Sequence, residues 1–146
     1  MKKKLLSLVL LSTTILFPAL SQARDPVHNL PFNTVVQQMT QEHKLDGSVK
    51  FYLAGTGPKG QIISSGVVTN KKTNSFNKTD TEACNWALQS ALLSLQESAK
   101  KSGANAVINI VSFYKRNEHS DRNNYECHAG AFIAGTALKG DLAKIR

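Results

Sequence analysis

Residues 79–103, TDTEACNWALQSALLSLQESAKKSG, predict one long helix near the middle of the chain. Thr79 and Glu82 have the spacing of a capping box at its start. Lys100 and Lys101 fall in its last turn, where they complement the helix dipole, and a glycine follows as the stop. The apolar residues recur every three or four positions on one face: Cys84, Leu88, Ala91, Leu92, Leu95 and Ala99. A helix of about 22 residues is near 33 Å long, so the fold must offer it an equally long apolar surface.

Segments rich in β-branched and aromatic residues flank this helix and predict strands. Residues 48–54 and 61–69 are joined by the glycine-rich sequence GTGPKG, which predicts a β-hairpin before the helix. Residues 107–114 alternate strictly between two faces, as a half-buried strand does. Residues 125–140 are interpreted as the last strand, and residues 141–146 as a frayed C-terminal tail.

A short helix is predicted ahead of the first strand, following a loose leader at residues 24–29. Asn33 is its expected N-cap, and it should end near Lys44, before the turn at Asp46–Gly47. The residues expected along its packed side are Val35, Val36 and Met39, with His43 as a further candidate. The order β-β-α-β-β predicts a single α+β domain: an antiparallel sheet of about four strands with the long helix packed across it.

The N-terminus has the three parts of a secretory signal peptide. Three lysines at positions 2–4 precede an apolar run at residues 5–17, and Ser21 and Ala23 occupy the −3 and −1 positions of a cleavage site. The run is shorter than the ~20 residues that span a bilayer, so it predicts removal after Ala23 and no membrane span. We therefore divide the chain into a signal peptide (1–23), a leader with a short helix (24–47) and an α+β domain (48–146), located in the periplasm.

The charge of the chain is basic, but not in the manner of a nucleic-acid-binding protein. The whole sequence carries 18 Lys and Arg against 10 Asp and Glu. Removal of the three signal lysines leaves 15 basic residues against 10 acidic ones, a net charge of +5. The basic residues occur as short pairs such as Lys71–Lys72, so no nucleic-acid partner is expected. A mild positive charge favours acidic partners or anionic lipid headgroups.

The chain contains two cysteines, Cys84 and Cys127, and the expected compartment is oxidising. Cys84 lies on the apolar face of the long helix, and Cys127 lies at the start of the last predicted strand. We predict a disulfide between them. Closing a loop of about 44 residues would stabilise the fold by roughly 4 kcal/mol in the entropic model.

Cys127 admits two other interpretations. A metal site would need Cys84, Cys127 and His128 to converge with a fourth ligand, yet neighbours in a strand point to opposite faces. A weaker surface metal site could combine His119 with Glu118, Asp121 and Glu126, and His128 is a further candidate. A cysteine nucleophile with His128 as its base meets the same geometric obstacle. We therefore expect no catalytic residues, no cofactor and no enzyme activity.

Two apolar residues, Trp86 and Leu93, lie on the polar side of the long helix. They predict a small interface for the N-terminal helix or a neighbouring subunit. The expected partner is accordingly an unknown envelope protein or a second copy of the chain.

The C-terminal half resembles the small α+β domains of YbjQ-like proteins and of RcsF-like envelope lipoproteins. The similarity lies in GANAV at residues 103–107 and GTAL at residues 135–138. The motifs at residues 69–78, 82–84 and 126–130 also resemble small exported proteobacterial proteins often given the automatic name "excinuclease ATPase subunit".

This resemblance implies the same fold and supports the pairing of Cys84 with Cys127. A second disulfide found in RcsF-like proteins is not expected, because Ile133 stands where they have a cysteine. The resemblance also implies heavy-metal binding and ring assembly as properties to test. The leading hypothesis is a non-catalytic periplasmic binding module or envelope-associated stress sensor. The alternative is an oligomeric, metal-binding periplasmic protein.

Overall fold

The structure, a computed structural model, describes residues 26–146 and contains two helices, six strands and a short 3₁₀ turn. The helices are α1 (Phe32–Gln41) and α2 (Asp80–Lys101), and the 3₁₀ turn is Tyr114–Arg116. The strands are β1 (Val27–Pro31), β2 (Lys50–Leu53), β3 (Gln61–Asn74), β4 (Ala106–Ser112), β5 (Asn124–Ala129) and β6 (Ile133–Lys144). The predicted signal peptide, residues 1–23, lies outside the described residues. Within residues 26–146, neither helix has the length and apolarity needed to cross a membrane.

The α+β class and the long helix are as predicted, but the sheet is larger than the four antiparallel strands expected. Its strand order is β1-β5-β6-β4-β2, and β3 pairs with β6. One pair, β2 with β4, is parallel. Parallel strands need a long crossover, which the intervening β3 and α2 provide. The central strand is β6, since it pairs with β3, β4 and β5.

The predicted hairpin between residues 48–54 and 61–69 is wrong. Both segments form strands, but β2 pairs with β4 and β3 pairs with β6. The strand β3 also runs five residues farther than predicted, to Asn74, through the polar sequence NKKTN. Polar residues are tolerated there because the outward-facing positions of β3 are exposed. The glycine-rich turn is therefore a connection between strands with separate partners.

The last predicted strand is two strands. Residues 130–132 separate β5 from β6, and the backbone N–H of Gly130 donates to the carbonyl of Ile133 across this turn (2.8 Å). The expected frayed tail is also wrong, because β6 continues to Lys144 and pairs with β3 and β4. Leu142 and Ala143 are buried. The small residues of β6 concealed its length, since they give little of the β-branched and aromatic signal that marks strands.

The N-terminal segment is more ordered than predicted. Residues 27–29, part of the expected loose leader, belong to β1, which pairs antiparallel with β5. Asn33 is not the N-cap of α1: the helix begins at Phe32 after Pro31, with no side-chain cap. Its buried residues are Phe32, Val35 and Met39, whereas Val36 is only partly buried. His43 lies beyond the end of α1 at φ +55° and is exposed, so it does not extend the packed side.

The helix α2 matches its prediction in length, ends and buried face. It spans 22 residues, and Thr79 Oγ1 accepts a hydrogen bond from the backbone N–H of Glu82 (3.1 Å). Gly103, at φ +73°, lies in the left-handed region in which glycine ends helices. The apolar face of α2 packs on one side of the sheet, called here the inner face, against residues that include Leu138 and Leu142 of β6. The opposite side of the sheet is called the outer face.

The strict alternation predicted for residues 107–114 is broken at Asn109. The pairing of β4 with β6 shifts register between Ile108 and Val111, and Asn109 has φ +55°. As a result Val107 and Ile110 both join the main core, although strict alternation would place them on opposite faces. A bulge of this kind re-aims side chains without ending the strand.

Candidate functional site

The two cysteines form a disulfide inside the protein. Cys84 and Cys127 are joined with an Sγ–Sγ distance of 2.02 Å and a Cα–Cα distance of 5.8 Å, and both are fully buried. Two polar contacts fix the same end of α2: the Tyr125 hydroxyl donates to Asn85 Oδ1 (2.8 Å), and His28 Nε2 lies 3.1 Å from Asp80 Oδ2. Burial raises the pKa of Tyr125, so the phenol stays protonated as a donor. Neither thiol is available as a metal ligand or nucleophile while this bond is intact.

His128 lies on the opposite face of β5 from Cys127, as strand geometry predicts, and it is mostly shielded from solvent. Its side chain is only 11% exposed. His128 Nε2 lies 2.8 Å from Glu126 Oε1, and its ring stacks on that of Tyr114 with centroids 3.3 Å apart. Of the three weak metal candidates, the structure therefore brings His128 and Glu126 together. His119 is exposed and pairs through its backbone with Ser112.

The main concave feature of the outer face is a groove that follows β6. Its floor consists of the outward residues Gly135, Ala137 and Lys139, which alternate with core-facing residues of the same strand. A Cβ at position 135 would lie 3.2 Å from Lys72 Cγ, so any side chain there would crowd the floor. We call this feature, with the walls described next, the outer groove.

The walls of the outer groove come from β3 on one side and from residues 113–116 on the other. The outer groove consists of two adjacent hollows of about 330 and 400 Å³. The first hollow is lined by Lys72, Tyr114, His128, Gly130, Phe132, Ile133 and Gly135. The second is lined by Gly66, Val68, Asn70, Phe113, Lys115, Arg116, Ala137 and Lys139. The hollows are two residues apart along β6, which is about 7 Å at the rise of a strand.

The charged groups that line the outer groove are predominantly cationic. Lys115 Nζ lies 5.3 Å from the centre of the Tyr114 ring, and Lys139 Nζ lies 4.9 Å from that of Phe113. Lys139 also pairs with Glu118. Within residues 26–146, no carboxylate forms an ion pair with Lys72 or Arg116. Cations held against aromatic rings suit a ligand that offers negative charge and apolar surface together.

Exposed apolar side chains gather at one end of the outer groove, where β3 ends beside the turn between β5 and β6. The rings of Phe76 and Phe132 stack with centroids 6.1 Å apart and an interplanar angle of 17°. Ile133 follows Phe132 and lines the first hollow with it. We call Phe76, Phe132 and Ile133 the aromatic tip.

The predicted interface residues Trp86 and Leu93 lie exposed on α2. The helix α1 does not cover them: it packs into the core through Phe32, Val35 and Met39. A hydrogen bond from Lys44 Nζ to Gln89 Oε1 (3.3 Å) contributes to its attachment to α2. The role of Trp86 and Leu93 as an interface with another molecule stays a prediction.

No group of three or more His, Cys, Asp or Glu side chains suited to holding a metal ion occurs in residues 26–146. The chain matches no protein-family model, no curated protein and no solved structure.

Sequence reasoning missed both the outer groove and the aromatic tip. Their residues come from β3, β6 and the segment between β4 and β5, which the incorrect hairpin kept apart. One usable signal was the spacing of Gly135 and Ala137, two small residues on the face of a strand that carries no helix. Another was the run FNK after β3, which places an aromatic ring in a polar turn at Phe76.

Proposed function

We propose that this chain is an exported, non-catalytic binding module of the bacterial envelope, and that the outer groove is its ligand-binding surface. The observation that carries the proposal is the groove itself: two hollows along β6, lined by lysines, an arginine and aromatic rings, on a sheet face without a helix. The proposal includes periplasmic location, removal of residues 1–23 and kinship with YbjQ-like and RcsF-like domains. The buried disulfide supports it, because such bonds persist in oxidising compartments.

The groove lining supports binding more than catalysis. General acid–base or nucleophilic catalysis needs a reactive group and a partner that activates it, both facing the substrate. In the first hollow, Glu126 is already paired with His128, whose ring is stacked on Tyr114. Packed in this way, the histidine forms part of a rigid wall.

Site-specific photocrosslinking in cells tests the groove as a binding surface. A benzophenone amino acid placed at Asn70 or Lys72, both exposed on the groove wall, should give discrete adducts in the envelope fraction. The same probe at Glu97 or Lys101, exposed on α2 and outside the lining of the outer groove, is the matched control. Adducts at the α2 positions but not at the groove positions would indicate that the partner binds the helix, and this would refute the proposal.

A metal-binding function is the second candidate, and the contact between Glu126 and His128 favours it. Their atoms lie 2.8 Å apart at the edge of the first hollow and could supply two ligands. Structural zinc sites use four, so the others would have to come from a second molecule or from water. Calorimetry with zinc and copper tests this: heat at micromolar metal that disappears in Glu126→Gln and His128→Gln would favour the metal site. No heat would remove it.

A further inference from the structure

We propose that the aromatic tip docks the protein onto the surface of an anionic lipid bilayer. This inference concerns Phe76, Phe132 and Ile133 and does not depend on what the outer groove binds. A membrane-facing tip would hold the module at the bilayer with the groove beside it, since Phe132 and Ile133 also line the first hollow.

The exposure of the tip is the first argument. Phe132, Phe76 and Ile133 are 67%, 57% and 56% exposed, the three highest values among the large hydrophobic residues described. Scattered apolar residues on a surface need no explanation, but a contiguous protruding group does. These three belong to two separate chain segments and meet at one end of the sheet.

The backbone of the tip is held in place. The N–H of Ser75 donates to the carbonyl of Phe132 (2.8 Å), and Ser75 Oγ donates to the carbonyl of Gly130 (2.8 Å). The N–H of Phe76 donates to Asn74 Oδ1 (2.7 Å). These bonds fix both turns, so the rings are presented outward in an ordered arrangement. A preorganised surface loses little conformational entropy when it binds.

The charge around the tip is the second argument, and it selects an anionic bilayer. Lys72 borders the first hollow with Phe132, and Lys78 Nζ donates to the carbonyl of Asn74 (3.0 Å). The next acid along the chain, Asp80, is engaged by His28. Basic residues beside apolar side chains are the pattern of proteins that bind anionic lipid surfaces.

The order of these groups along the strands matches the layers of a bilayer. Asn74 pairs with Ile133 at the tip, and Lys72 pairs with Gly135 two residues back. Two residues of strand span about 7 Å. With the rings at the boundary of the acyl chains, the lysine therefore reaches the headgroup phosphates.

Sedimentation with lipid vesicles tests the inference. The processed protein, its mass checked so that the apolar N-terminal run is absent, is mixed with vesicles of phosphatidylglycerol and phosphatidylethanolamine, or of phosphatidylcholine alone. We expect binding to the anionic vesicles that is at least tenfold stronger than to phosphatidylcholine. The double variant Phe76→Ser/Phe132→Ser should bind at least tenfold more weakly. The matched control Ile62→Ser/Ile63→Ser removes two exposed apolar residues from the opposite end of β3 and should stay within twofold of the wild type.

Three outcomes would overturn the inference: no binding to anionic vesicles, equal binding to both lipids, or equal losses in the two double variants. Equal thermal unfolding midpoints would establish that both variants are folded. A Lys72→Glu variant separates charge from insertion, since it should weaken binding to anionic vesicles alone. Failure of these tests leaves groove crosslinking unaffected, so the two proposals can be refuted separately.

Discussion

Asp141 holds two irregular strands in register through one carboxylate. It accepts hydrogen bonds from Ser65 Oγ (3.1 Å), the N–H of Gly66 (2.8 Å) and Asn109 Nδ2 (2.9 Å). Gly66 and Asn109 both have positive φ and lie where β3 and β4 shift register against β6. Partial burial opposes ionisation of Asp141, but these donors outweigh it and hold its pKa below the ordinary value of 3.8.

Replacing Asp141 with alanine should lower the free energy of unfolding by about 1–2 kcal/mol at neutral pH, because three donors lose a charged acceptor. The contribution of a carboxylate with a lowered pKa is complete above its pKa in the unfolded chain and is lost as pH falls through the folded value. Urea titrations at pH 7 and pH 3 should therefore show a smaller gap between wild type and variant at pH 3. The control Glu97→Ala, at an exposed position on α2, should show no comparable gap. A gap that is constant or grows with acidity would contradict this account.

The disulfide connects two elements, and its removal tests how much they depend on it. Cys84→Ala/Cys127→Ala should lower the free energy of unfolding by roughly 4 kcal/mol, the loop-closure value for a separation of 43 residues. Denaturation of the wild type with reductant should show a similar loss, whereas the double variant should not respond to reductant. The variant also removes two sulfur atoms from the core, which reduction of the wild type does not. If the variant has a much lower free energy of unfolding than the reduced wild type, the additional loss comes from packing. Equal stability with and without the bond would refute the stabilising role.

Elements with local signals could be predicted from the sequence, and pairings between distant segments could not. The helix α2 was predicted because its cap, its apolar face and its stop lie within 25 consecutive residues. The prediction ends β6 too early, because the pairing of β6 with β3 joins residues as far apart in sequence as Gln61 and Lys144. Of its small residues, Ala134 packs in the core with α2, whereas Gly135 and Ala137 face the outer groove.

The site was harder to predict than the fold because it too depends on contacts between segments that are distant in sequence. The pairing of Cys84 with Cys127 could be predicted because Cys84 lies on the apolar face of its helix. The separation of Cys127 from His128 could be predicted because neighbours in a strand point to opposite faces. The outer groove needs β3 beside β6 and residues 113–116 above them, and neither arrangement has a local signature. The bulge at Asn109 could not be predicted from the alternating pattern of residues 107–114, because it involves a hydrogen bond to Asp141 in another strand.

For the whole molecule, the proposed export would link location and stability through the disulfide. A contribution of roughly 4 kcal/mol is a large part of the ~5–15 kcal/mol that keeps a domain folded. Cytosolic thiols stay reduced, so a copy retained in the cytosol would lack this contribution. The N-terminal segment would then determine stability as well as location.

A variant lacking residues 2–23 tests this link. The wild type, recovered from the envelope fraction, should have the mass of a chain that begins at Arg24 and no reactive thiol when denatured without reductant. The deletion variant should stay in the cytosol with two reactive thiols, and its urea midpoint, measured without air oxidation, should match that of Cys84→Ala/Cys127→Ala. Because residues 26–146 contain every helix and strand described, oxidation of the purified variant should restore the midpoint of the wild type. Two free thiols in the envelope form, or a wild type found in the cytosol, would separate the bond from export and contradict the proposed location.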